Sequence, residues 1–198
     1  MEEVYKWCNI MNLEKIYAIG KFNFDIDEII RRGEHQLFNA ANQKYKDGSS
    51  FRNSNVTWIK DWLELENYVA NRIKLVNQKY WSFDLIKFEP LQYSVYNKGD
   101  YYDWHSDQHG SKYADGMVRK LSFTIALNDD YEGGEFEVAT LSSAKKLPKI
   151  NIINVNKEED FSKGTAIVFP SFVWHRVAPV TKGVRKSLVG WVVGKPFV

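Results

Sequence analysis

Two short stretches hold the residues whose types and spacing could do chemistry. In QYSVYNKGDYYDWHSDQHG, His105 and Asp107 stand two apart in chain that is strand-like or just leaving a strand. Residues i and i+2 of extended chain project from one face, with Cβ atoms about 6 to 7 Å apart. An imidazole nitrogen and a carboxylate oxygen so placed can meet one ion at about 2.0 to 2.2 Å. Among 25 acidic residues such a pair also arises by chance, so alone it says little. The second stretch, GTAIVFPSFVWHRVAPVTKGVRKSLVGWVVG, sets His175 in an apolar, aromatic run. A buried imidazole there needs a partner, either a backbone carbonyl or a metal ion. Two histidines and one carboxylate leave open positions on one face of an octahedral ion, the arrangement of non-haem Fe(II) oxygen chemistry. Further on, VRKSLVGWVV alternates and puts Arg185, Ser187, Val189, Trp191 and Val193 on one face. With that face inward, Arg185 is buried and requires an anion. An internal Asp or Glu would serve, and so would a bound dicarboxylate, for which Ser187 adds a hydroxyl donor.

The elements that must position these groups read from the rest of the chain. Its 198 residues carry 27 basic and 25 acidic side chains, a formal charge of +2, and 44% are hydrophobic. That balance describes one folded domain, residues 1–198, and argues against a nucleic-acid partner. Cys8 is the one cysteine, which excludes an internal disulfide framework and a cysteine zinc site. With an N-terminal stretch that lacks signal character and no apolar span, a cytoplasmic protein without a membrane segment is expected.

Residues 1–80 read as helix-rich. Ile26, Ile29, Ile30, Leu37 and Phe38 predict one broken helix or two over 25–41, interrupted at Arg32-Gly33. The polar run 44–55 reads as turn, and a helix is expected over 61–79. From residue 81 the pattern changes to short alternating runs, with strands expected over 86–96, 120–127, 134–141, 149–155, 164–169, 174–179 and 184–193. The fold class is therefore mainly β with N-terminal helices, an α+β arrangement in which helices buttress a β-barrel or jelly roll. His109 would share a face with His105 only on a helix, which Gly99, Ser106 and Gly110 argue against, so it is expected to be exposed. His35 falls in the helical part, packed or facing water.

Taken together, the residues of 92–193 resemble the Fe(II)/2-oxoglutarate-dependent dioxygenases, and within them the compact prolyl 4-hydroxylase-like group. The matching elements are Tyr96 to Asp107 with its H-x-D, the run RKLSFTIALN followed by EGGEFEV, and His175 to Arg185 ending in R-x-S-x(3)-W. The resemblance implies a double-stranded β-helix and an enzyme that hydroxylates an unactivated C–H bond while 2-oxoglutarate and dioxygen give succinate and carbon dioxide. It implies that His105, Asp107 and His175 bind Fe(II), that Arg185 holds the distal carboxylate of 2-oxoglutarate, and that Tyr96 helps. Ser187 and Trp191 follow as cosubstrate or pocket contacts, and ascorbate as an accessory reductant. Arg119, Tyr102, Trp174, Arg52 and Trp58 are the candidate substrate contacts, with 44–55 a candidate lid. The substrate implied is a peptide or protein, proline-containing by preference. A free amino acid or other small molecule is the alternative, and a jelly-roll binding module with a structural metal the non-enzyme one. Nucleic-acid demethylases of the superfamily end in R-x(5)-R, and Trp191 stands where their second arginine would be.

Overall fold

The computed structural model describes residues 15–39, 51–108, 113, 115–142, 149–158 and 161–197. Cys8, His109 and most of the 44–55 run lie outside them. The chain runs β1 (Ala18–Lys21), α1 (Ile26–Asn39), β2 (Arg52–Asn53), β3 (Asn55–Ile59), α2 (Leu63–Tyr80), β4 (Lys87–Phe88), β5 (Leu91–Tyr96) and β6 (Tyr101–His105). It continues through β7 (Val118–Ala126), β8 (Glu132–Gly133), β9 (Phe136–Ser142), β10 (Lys149–Asn154), α3 (Val155–Glu158), β11 (Thr165–Pro170), β12 (His175–Val177), β13 (Val180–Lys182) and β14 (Arg185–Gly194). A major sheet has the order β1-β11-β7-β14-β5-β3, with β4 also on β14, and a minor sheet the order β10-β9-β12-β6-β2. Every pairing is antiparallel.

The two sheets face each other, and the helices cover the back of the major one, which gives a jelly roll buttressed by helices as the pattern predicted. Alternation along the strands explains the layering. Tyr93, Leu121, Ile125, Leu188 and Val192 point to the back of the major sheet and form one core with Ile29 of α1 and Leu65, Val69 and Ile73 of α2. Each such fully buried aliphatic stabilises the fold by about 1.5 to 3 kcal/mol as an upper figure. Ile167 and Phe169 point the other way and meet Phe136, Val138 and Val177 of the minor sheet in a second core.

The predicted break in the first helix is corrected. The helix α1 begins at the cap Asp25, whose Oδ1 accepts the Glu28 N–H at 3.0 Å, and it runs unbroken through Gly33. Glycine stands there because a Cβ would come within 2.4 Å of the Tyr93 ring, so it permits close packing and does not break the helix. The strand expected over 86–96 divides at Pro90, which has no N–H to give to a ladder. Part of the 44–55 turn also differs, since Arg52–Asn53 pairs with β6 and a strand opens at Asn55. Among the described residues no helix is long and apolar enough to cross a membrane.

Candidate active site

Between the sheets lies a cavity of about 220 Å³ whose walls carry the groups singled out above. It is smaller than the roughly 300 to 1,000 Å³ of small-molecule clefts. The two histidines reach it as direct cross-strand partners, His175 of β12 opposite His105 of β6. Opposed residues on one face stand about 4.5 to 5.5 Å apart at Cβ, and here the two rings lie 4.1 Å apart at their centroids. Asp107 is the second residue beyond the end of β6. The N–H groups of Asp107 and Gln108 both donate to the Ser171 carbonyl at 2.9 Å, which ties the departing chain to the turn ahead of β12.

The three side chains are all buried, and one donor atom from each lies within 4.8 Å of the others. Asp107 Oδ1 is 3.8 Å from His105 Nε2, and its Oδ2 is 3.5 Å from His175 Nε2. Two ligands of a single ion can stand up to about 4.2 Å apart, so these separations suit a shared divalent metal. Both imidazoles are oriented from behind: His105 Nδ1 meets the Asp103 carbonyl at 2.8 Å and His175 Nδ1 the Val173 carbonyl at 2.9 Å. A carbonyl only accepts, so each Nδ1 carries the proton and each Nε2 offers its lone pair to the cavity. Burial, reinforced by His175, pushes His105 down to about 3, against the pull of Asp107, so its ring is neutral and ready to ligate. For Asp107, burial works to raise the carboxyl pKa, but His175 and His105 outweigh it and hold the group below its ordinary value.

On the major sheet the inward row is polar. Arg185 pairs in register with Tyr96, Ser187 with Ser94 and Ala126, Val189 with Gln92 and Thr124, and Trp191 with Ser122. Arg185 is 1% exposed, and its Nη1 donates to Ser187 Oγ at 3.1 Å. Its Nε and Nη2 are buried with no hydrogen-bond partner, and so is Trp191 Nε1. No described carboxylate pairs with this guanidinium, although an internal acid was one reading of the sequence. A planar fork of free donors beside a His-Asp-His group fits a small organic acid bound between arginine and metal.

Residues 91–193 match the family profile of the 2OG-Fe(II) oxygenase superfamily. The chain belongs to that superfamily. Among curated relatives, a PKHD-type hydroxylase of Hyphomonas neptunium is 35% identical over 112 residues, 54% of this chain and 44% of the relative. Another, from Picosynechococcus, is 41% identical over 106 residues, 52% of this chain and 41% of the relative. The matched part spans less than half the length of these relatives. In fold, this chain resembles the crystal structure of a Pseudomonas putida prolyl-4-hydroxylase, with a TM-score of 0.67 at 17% identity over 93% of this chain and 96% of that one. It also resembles a Trichoplax adhaerens prolyl hydroxylase solved with a peptide fragment of the hypoxia inducible factor oxygen degradation domain, with a TM-score of 0.60 at 17% identity over 96% and 90%.

The remaining candidate contacts divide by position. Tyr102, Arg52, Trp58 and Arg119 line the cavity, but Trp174 does not. Trp174 is 54% exposed on the outer face of the minor sheet, in a groove with Trp104, Ile150 and Ile152, because residues adjacent in a strand face opposite sides and His175 takes the inside. The Tyr102 ring stacks on His105 at 3.6 Å and 20°, and burial pushes its hydroxyl up to about 12. Three steps along β6, from Tyr102 to His105, oppose two steps of β12, and this bulge lets both side chains face the cavity. Arg119 is held by Glu89 through Nε at 2.8 Å and Nη2 at 2.7 Å, and lies 4.0 Å over the Trp191 ring. Gln92, Thr124, Phe136 and Phe169 also line the cavity and were not singled out in the sequence. The inward parity of β5 and β7 could have found the first two.

Proposed function

We propose that the chain is an Fe(II)- and 2-oxoglutarate-dependent hydroxylase that acts on a C–H bond of a peptide or protein, proline being the favoured target. The observation that carries this reading is the buried, unpartnered guanidinium of Arg185 in the same cavity as the converging His105, Asp107 and His175. The prolyl hydroxylase folds, one of them solved with a peptide, support a peptide substrate. A free amino acid or other small molecule is the alternative, since one metal centre serves both classes. Residues 81–198 then form the catalytic core, residues 1–80 its support, and the single cysteine supports a cytoplasmic site.

His105 and His175 would hold iron through Nε2 and Asp107 through its carboxylate, while Arg185 takes the far carboxylate of 2-oxoglutarate with Ser187 and Tyr96 beside it. Iron supplies the redox chemistry by which 2-oxoglutarate, dioxygen and the C–H bond become succinate, carbon dioxide and the alcohol, with ascorbate as accessory reductant. The protein's own work is placement. The carbonyls of Asp103 and Val173 fix the two imidazoles, and the ring of Tyr102 covers one face of His105. Phe136 and Phe169 pack around His175 and exclude water from that side.

The test is succinate formation from 2-oxoglutarate over a panel of proline-containing peptides and free amino acids, with mass spectrometry for a gain of one oxygen. Product with a peptide, lost by more than about 100-fold in His105→Ala or His175→Ala, is the expected result. Product with free amino acids only would establish the alternative. Metal bound with no turnover of 2-oxoglutarate would leave a structural metal site.

A further inference from the structure

Each of the two histidines is fixed from behind by a carbonyl, whereas a carboxylate needs a donor to hold it. Asp107 has one in a pair of buried serines. Ser171, just past the end of β11, is completely buried. Its carbonyl accepts the N–H groups of Asp107 and Gln108, and its N–H donates to the Lys120 carbonyl at 3.0 Å. Its Oγ lies 2.9 Å from Ser122 Oγ. Ser122, on β7, is buried and pairs with Trp191 of β14, yet it is not on the cavity wall. Its hydroxyl meets the Asp107 carboxylate instead. After His175 and His105, it is the next group that holds that carboxyl below its ordinary value against the effect of burial. A hydroxyl has one proton to give and a carboxylate only accepts, so the order is fixed. Ser171 Oγ donates to Ser122 Oγ, and Ser122 Oγ donates to Asp107.

We propose that Ser122, backed by Ser171, is a positioning residue that sets the Asp107 carboxylate for the metal; the inference rests on the metal site of the reading above. A carboxylate turns about its bond to the chain. The two oxygens of Asp107 stand 3.8 and 3.5 Å from the Nε2 atoms of His105 and His175, and rotation would change both distances. A hydrogen bond to a charged acceptor is roughly twice as strong as a neutral one, and a second hydroxyl behind the donor strengthens it further. By itself the serine pair adds little to the fold, because burying hydroxyls costs free energy and an apolar pair could fill the same space. Its effect is on the ligand. The turn that carries Ser171 also carries Val173, whose carbonyl orients His175, so one short segment sets the geometry of both ligands.

The experiment measures metal binding by itself. Zn(II) is titrated calorimetrically into the full metal-free chain, and thermal unfolding without metal is recorded for each variant. Absence of Zn(II) binding in the wild type removes the metal site and this inference with it. With binding present, Ser122→Ala should weaken it about 10- to 100-fold, and Ser171→Ala should fall between that variant and the wild type. The decisive pair is Ser122→Thr and Ser122→Val. The two side chains have one shape and differ by a hydroxyl for a methyl, so the ratio between them reports the hydroxyl even where both pack less well than serine. Threonine should rescue binding to within about threefold of wild type, and valine should lose about 10- to 100-fold. Equal affinities of the threonine and valine variants overturn the proposal while the metal site stands. So does a loss of thermal stability in Ser122→Ala with Zn(II) affinity unchanged, which is what a merely structural pair would give.

Discussion

Replacing Arg185 by methionine should make the metal-free protein more stable and at the same time unable to hold 2-oxoglutarate. In the unliganded chain the guanidinium is fully buried, Nη1 has a single hydroxyl partner at 3.1 Å, and Nε and Nη2 have none. Each buried donor without a partner costs about 1 to 3 kcal/mol. Methionine keeps much of the stem and removes the charge, so a gain of about 1 to 3 kcal/mol is expected, or roughly 3 to 8 °C in melting temperature for a chain of this size. Binding should move in the opposite sense. Breaking a buried arginine–carboxylate pair costs about 3 to 5 kcal/mol, a loss of about two to four orders of magnitude in affinity. Ligand at a hundred times its dissociation constant adds about 2.7 kcal/mol of stability, so the wild type should be shifted upward by Zn(II) with 2-oxoglutarate beyond Zn(II) alone, and Arg185→Met should not. Thermal unfolding of both proteins in all three conditions makes the comparison. A variant less stable than wild type without ligand would mean that the guanidinium is satisfied in the free protein. A variant still stabilised by 2-oxoglutarate would place the dicarboxylate elsewhere.

Three further outcomes follow from the same geometry. The metal-free protein should lose stability as the pH falls from about 6.5 toward 3, because the unfolded His105 takes a proton that the folded one refuses until about 3. The lowered Asp107 works in the same direction at the acid end, and urea midpoints that stay flat from pH 7 to 4 would contradict this. Gly33→Ala, though it improves helix propensity, should destabilise by about 1 to 3 kcal/mol through the clash with the Tyr93 ring, as denaturant titration will read. Trp174→Ala, on the outer face of the minor sheet, should leave 2-oxoglutarate affinity within about twofold of wild type by calorimetry.

How far the site was legible depended on whether its signal was local. The inward parity of Arg185, Ser187 and Trp191 could be read because β14 is long and keeps its register from 185 to 192, and the structure puts all three on the cavity wall. His105 and Asp107 drew attention by their spacing, but their convergence with His175 is a cross-strand register that no local pattern contains. Trp174 lies outside the cavity because neighbouring residues of extended chain face apart and His175 takes the inside. Tyr102 has the opposite parity to His105 and reaches the cavity only through a bulge, which the run YYDWH does not announce. Gly33 looked like a helix breaker because its reason lies in the ring of Tyr93, sixty residues away in the chain. The short edge strands β1 and β2 lack the length for any alternation to declare itself. The partner of Arg119, Glu89, stands just before Pro90 in the gap between two strands, where sequence gives no facing.

The major sheet divides the labour of the protein by residue parity. On β14 the side chains at 185, 187, 189 and 191 look into the cavity, while Leu188 and Val192 enter the helix-backed core and Gly190 admits the Phe123 ring. On β5, Gln92 and Ser94 look one way, and Leu91, Tyr93 and Val95 the other. Ser94 and Ser187 are completely buried yet contribute nothing to an apolar core, and a sheet selected for stability alone would carry aliphatic residues in those places. Their persistence as polar groups beside an unmatched guanidinium is explained if the inner face is solvated by a ligand. Substitutions on one strand should therefore sort by odd and even position. Those on the cavity side should weaken ligand binding with little loss of fold, and those on the helix side should lower stability before they touch the site.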